Sequence, residues 1–83
     1  MALPSKADLM AYCRVDDEEA GALLESLCQQ AETYLSFAGV DTTLADPRLE
    51  QALKALTLNW FDNPAGGEVP AGLQRLINQL KHT

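Results

Sequence analysis

A chain of 83 residues with a formal charge of −6, from twelve acids against six bases, describes one small acidic domain, and a surface of that sign repels phosphate instead of recruiting it through counterion release. Sequence-reading DNA binding is thereby disfavoured. So short a chain buries only roughly 60% of its unfolded surface, and with five aromatic residues, Tyr12, Tyr34, Phe37, Trp60 and Phe61, its core must be mostly Leu and Ala.

The breakers punctuate four helical segments, with no strand-like alternation, low-complexity tract or repeat, so the expected class is all-α. Ser5 is placed to cap a first short helix, with Asp8 at its third position where the helix dipole favours a carboxylate. This helix is expected to end near Cys13. Asp16 then reads as the cap of the longest helix, 17–38, with Glu19 three residues on completing an acidic capping box and Gly39 closing the helix in left-handed geometry. The run Asp16, Asp17, Glu18 and Glu19 is first of all a stabilised helix N-terminus; channel lining or metal binding is its functional alternative.

Within this second helix Ala20, Leu23, Leu24, Leu27, Ala31, Tyr34, Leu35 and Ala38 recur at three- and four-residue steps and are expected to share one apolar stripe, with Glu18, Glu25, Gln29, Glu32 and Ser36 mainly opposite. Such a helix would be on the order of 33 Å long, too long for one partner helix to cover. The terminal helices or a neighbouring subunit must supply the remaining cover.

Asp46-Pro47 is a strong start signal, an acid at the cap followed by proline where a missing N–H costs nothing. The third helix is expected to run to about Asp62 and to bury Leu49, Ala52, Leu53, Leu56 and Trp60, with Phe61 widening the stripe. Asn63-Pro64 ends it, since proline disfavours helical geometry in the residue before it. The Ala65-Gly66-Gly67-Glu68 loop follows, and Pro70 opens a last helix with Leu73, Leu76, Ile77 and Leu80. Two longer antiparallel helices closed by short terminal ones are the expected architecture, with Leu23, Leu27, Leu53, Leu56 and Trp60 as core.

Little in this chain bears chemistry. Cys13 and Cys28 lie fifteen residues apart and read as small buried apolar residues with reduced thiols; with His82 as the single histidine, there are too few ligands for zinc. Gly66-Gly67 lacks the Gly-Lys-Ser/Thr ending and preceding strand of a phosphate loop. No catalytic grouping, metal site or cofactor motif emerges. Met1-Ala2-Leu3-Pro4 has neither the basic nor the apolar part of a signal peptide, and no apolar run reaches the roughly 20 residues of a membrane span. The chain is expected to be cytosolic.

The order of these parts resembles the small head-tail connector, or adaptor, proteins of tailed phages and prophages, a family also described as DNA-packaging proteins. The resemblance covers nearly the whole chain. It is carried by Leu9, Tyr12, Arg14, Val15 and the acids Asp16 to Glu19, by Leu23, Leu24, Ala31 and Tyr34, and by Ala52, Leu53, Trp60, Phe61, Pro70, Gly72, Leu73, Leu76 and Ile77. Where the family often shows a Trp-Tyr-Glu-Asn-Arg-like run, this chain has Trp60-Phe61-Asp62-Asn63-Pro64. The resemblance implies a structural protein and not an enzyme. It further implies that subunits form a ring joining the portal at the capsid vertex to the tail or head-closure protein, with DNA passing through without sequence-specific binding. Asp16, Asp17, Glu18, Glu19, Phe61, Asn63, Gly66, Gly67 and Glu68 are the candidates for interface or channel. The competing classes are a small acidic intracellular adaptor or antitoxin-like dimer and, less well supported, a helix-turn-helix regulator, whose recognition helix would need more cations than Arg75 and Lys81.

Overall fold

The computed structural model describes residues 3–43, 46–63 and 69–81, which form four helices and, among the described residues, no strand: α1 (Lys6–Cys13), α2 (Glu18–Phe37), α3 (Pro47–Asp62) and α4 (Ala71–Lys81). The all-α class and the order of elements follow the breakers. The most extensive contact joins α2 to α3, α1 packs chiefly on α2, and α4 packs on α3. Among the described residues no helix is long and apolar enough to cross a membrane.

Each helix starts where a side-chain acceptor or a preceding carbonyl satisfies backbone N–H groups that have no intrahelical partner. Ser5 Oγ accepts from Asp8 N–H at 3.1 Å. Asp46 Oδ1 accepts from Arg48 N–H at 2.9 Å, and the Arg48 guanidinium folds back onto the same carboxylate, with Nη2 at 2.8 Å from Oδ2. These bonds from Arg48 hold the Asp46 carboxyl below its usual range. The Pro70 carbonyl accepts the Gln74 N–H at 2.9 Å at the start of α4.

The start of α2 differs from expectation. Asp17, not Asp16, is the cap, and its Oδ1 accepts from Glu19 N–H at 3.3 Å, so the Asp16/Glu19 capping box does not form. Both acids have the chemistry of a cap, and the neighbouring structure chooses between them. The turn that closes α1 runs through Val15, which leaves Asp16 as extended linker, while an ion pair between Lys6 and Glu18 ties the first residue of α2 to the first residue of α1.

Two helices end in the same double-bonded turn, in which the chain passes through left-handed geometry and two orphan carbonyls are satisfied. In α2 Gly39 takes φ 96°, Gly39 N–H donates to Ser36 O at 3.1 Å, and Val40 N–H donates to Leu35 O at 3.0 Å. The buried Val40 and Leu35 side chains both join the core there. At the end of α1 the left-handed position falls on Arg14, φ 57°, with Val15 N–H donating to Met10 O at 2.9 Å. A residue with a Cβ is strained in that conformation.

The core is one cluster: Leu9 from α1, Leu24, Cys28, Ala31 and Leu35 from α2, Val40 after it, Leu49, Ala52, Leu53 and Leu56 from α3, and Leu73, Ile77 and Leu80 from α4. Thr57 is buried among them and is satisfied by donating its hydroxyl to Leu53 O at 2.7 Å. Gly21 lets α1 approach closely, since a Cβ there would fall 2.7 Å from Met10 Sδ and 2.8 Å from Lys6 Cε.

Three expected core residues, Leu23, Leu27 and Trp60, are not in this cluster. Leu23 is 49% exposed, and Leu27 is only half-buried. The expected stripe merges two rows: Leu24, Cys28, Ala31 and Leu35 point inward, while Leu23, Leu27 and Tyr34 lie on the next face round. At about 100° per residue the two rows are centred roughly 100° apart, and α1 and α3 together cover only the first. Trp60 is half-buried and packs on the edge of the core, not within it.

Replacing Leu56 by Ala is expected to lower the unfolding free energy by about 2 to 5 kcal/mol, whereas Leu23→Ala should stay within about 0.5 kcal/mol of the parent. Urea titrations of both variants check this, and equal losses would mean that the faces of α2 are misassigned. Arg14→Gly should instead stabilise the protein, by up to about 1 kcal/mol, through relief of the left-handed strain; an unchanged or lowered urea midpoint would show that the Arg14 side chain contributes more than its backbone loses.

Candidate interaction surface

The acidic run occupies the turn between α1 and α2. Asp16, Asp17, Glu18 and Glu19 are all exposed, but only Asp16 and Glu19 have carboxylates without a structural task, because Asp17 caps α2 and Glu18 pairs with Lys6. Phe61 is half-buried against the core, and Asn63 is exposed at the end of α3, where its Nδ2 donates to Asn59 O at 2.9 Å. Gly66, Gly67 and Glu68 lie outside the described residues. Asp62 lies near enough to Cys13 to raise its thiol electrostatically, which puts the end of α3 beside the end of α1.

Neither thiol is activated. Burial pushes Cys13 up, and Asp62 adds to it; burial also pushes Cys28 up, opposed in part by a hydrogen bond with Thr57. A thiolate is the reactive form, so the raised pKa makes both residues less reactive than a free thiol. Among the described residues no group of three or more His, Cys, Asp or Glu is placed to hold a metal ion. The depression on the outer side of α2 is open and shallow, lined by Ser26, Gln29, Gln30 and Thr33.

The most prominent surface feature is one that periodicity alone conceals. Three large apolar residues of α2 face solvent: Phe37 is 90% exposed, Leu23 49% and Tyr34 38%. The Tyr34 ring is held edge-on against Trp60 of α3, with centroids 5.8 Å apart and planes at 87°. That geometry is favourable for aromatic pairs, and it fixes an exposed aromatic in one orientation. The signal is present in the spacing, since Leu23, Leu27, Tyr34 and Phe37 follow one another at steps of four, seven and three.

Comparisons with family models, with characterised proteins and with solved structures find nothing that matches this chain.

Thiol labelling tests the burial directly. In the folded protein Cys28 should resist an alkylating reagent at pH 8 and Cys13 should react more slowly than a free thiol, while both should label at once in urea. Rapid modification of Cys28 without denaturant would contradict its place between α2 and α3.

Proposed function

We propose that this chain is a structural protein that acts by assembly, as a subunit of the ring joining portal to tail in a tailed phage or prophage. The observation that supports action by assembly, whatever its geometry, is the exposed apolar side of α2, with Phe37 almost wholly in solvent. Exposed large apolar residues that line up on one element mark surfaces that another protein covers. The resemblance in order and spacing of the helices supplies the particular assembly. The partners are further copies of the chain, the portal protein, and the tail or head-closure protein.

An acidic subunit suits a passage for DNA. Carboxylates facing a lumen repel phosphates, whereas cations would hold them and slow sliding. Asp16 and Glu19 are the acids best suited to that role, because replacing them leaves the Asp17 cap and the Lys6–Glu18 pair intact. The acidic adaptor or antitoxin-like dimer is a second reading, favoured by the same uncovered face; a toxin gene beside this one, in place of portal and tail genes, would decide for it.

Electron microscopy of the purified protein mixed with its portal should show rings with a central channel stacked on the portal. In particles carrying Asp16→Lys and Glu19→Lys, ejection should slow or leave DNA stranded. Wild-type ejection and yield would reject the lumenal placement, and absence of any complex with the portal would reject the connector reading itself.

A further inference from the structure

The uncovered face of α2 has more order than exposed apolar residues alone require. Ala20, Leu23, Leu27, Gln30, Tyr34 and Phe37 follow one another at steps of three, four, three, four and three, the spacing of the two apolar positions of a heptad. The row spans on the order of 25 Å of helix. Gln30 is its single polar member. On its solvent flank lie Ser26 and Thr33, which carry no charge, while Glu25 and Glu32 sit on the far side of the helix.

We propose that this row pairs with the same row of a second copy of the chain, the two α2 helices running antiparallel about a two-fold axis beside Cys28 and Gln29. Turning the row end for end onto itself sets Ala20 opposite Phe37, Leu23 opposite Tyr34 and Leu27 opposite Gln30, each twice. The smallest member meets the largest exposed one, and no layer places two aromatics together. Ser26 of one copy then lies against Thr33 of the other.

Charge argues for a copy over a different partner. Two chains each carrying −6 repel over most of their surfaces, and the outer side of α2 from residue 20 to 37 is where they meet without a like-charge contact. Between residues 20 and 37 a basic partner would find no carboxylate in the row to pair with; the acids are on the linker and the first turn of α2, at one end of the row, and on the other side of the helix. The contact of Tyr34 with Trp60 holds one aromatic of the row in place before association, which lowers the ordering cost of binding. A single helix pair is a small contact beside standard interfaces of roughly 1,200 Å² or more, and the pairing is expected to be weak. The pairing goes beyond the connector reading and does not rest on it.

Sedimentation equilibrium on the full chain from about 10 μM to about 1 mM, with circular dichroism to check folding, tests it. The wild type should pass from monomer to dimer in that range. Phe37→Glu should stay monomeric with unchanged helix content, and Gln30→Leu should tighten the dimer about tenfold by removing the polar layer. Ala20→Lys combined with Phe37→Glu should restore the dimer, since the two sites meet only between antiparallel copies. A monomeric wild type, dimers that survive Phe37→Glu, no tightening in Gln30→Leu, or a monomeric double variant would each overturn the pairing.

Discussion

The inward row of α2, Leu24, Cys28, Ala31 and Leu35, is the surface on which the other elements depend. α1 lies on one side of it through Leu9, α3 on the other through Ala52, Leu53 and Leu56, and α4 reaches the core by way of α3. The described residues form one core with no second to absorb a loss, and each fully buried Leu contributes about 1.5 to 3 kcal/mol. The row therefore determines both how the helices stack and how much of α2 they leave bare. Small residues at Gly21, Cys28 and Ala31 draw the neighbours close to this side of the helix, and the described residues of the monomer do not reach round to the next.

The ends of the helices show how local chemistry fixes that packing. Four short-range devices, the Ser5, Asp17 and Asp46 caps and the Gly39 turn, set where the rods start and stop, and hence which residues face inward. The turn at Arg14 is the odd one. It has the bonding of a glycine-closed helix with a side chain in the strained position, and its neighbour Val15 packs against the core. Closing α1 there brings Lys6 within reach of Glu18, and the first residues of α1 and α2 lock together across the short linker.

Most of this architecture was legible in the sequence because breakers and caps are local. Asp46-Pro47, Ser5, Gly39 and Pro70 each act through bonds spanning a few residues, and each falls where the sequence places it. The shift from Asp16 to Asp17 was not legible, because it depends on a turn in the preceding helix and on an ion pair twelve residues long. The misplacing of Leu23 and Leu27 has a different cause. Periodicity tells which residues share a side of a helix, but how wide a stripe is covered depends on the number of neighbours, and that is a property of the fold. Leu49, Ala52, Leu53 and Leu56 raised no such ambiguity, since α3 carries a narrower row. Of the candidate surface, the acids were found by their sequence clustering, and the bare side of α2 was hidden inside a stripe assumed to be single.

Symmetry separates the two surfaces that the molecule presents. A row that is complementary to itself about a two-fold axis closes after two copies and cannot extend, whereas a ring requires two different patches joined head to tail. The outer side of α2 thus cannot by itself build a ring, and the patches for such a ring must be sought elsewhere, with the acidic turn and Asp62 and Asn63 at the end of α3 as exposed material. If both contacts operate, they compete or combine according to whether the pair leaves those residues of each copy free. The axis beside Cys28 and Gln29 lies near the middle of α2, about ten residues from the acidic turn, or on the order of 15 Å along the helix. Yet the row runs on from the axis to Ala20, so Phe37 of the second copy lies next to Glu19, and the pair competes with any partner that engages the acidic turn.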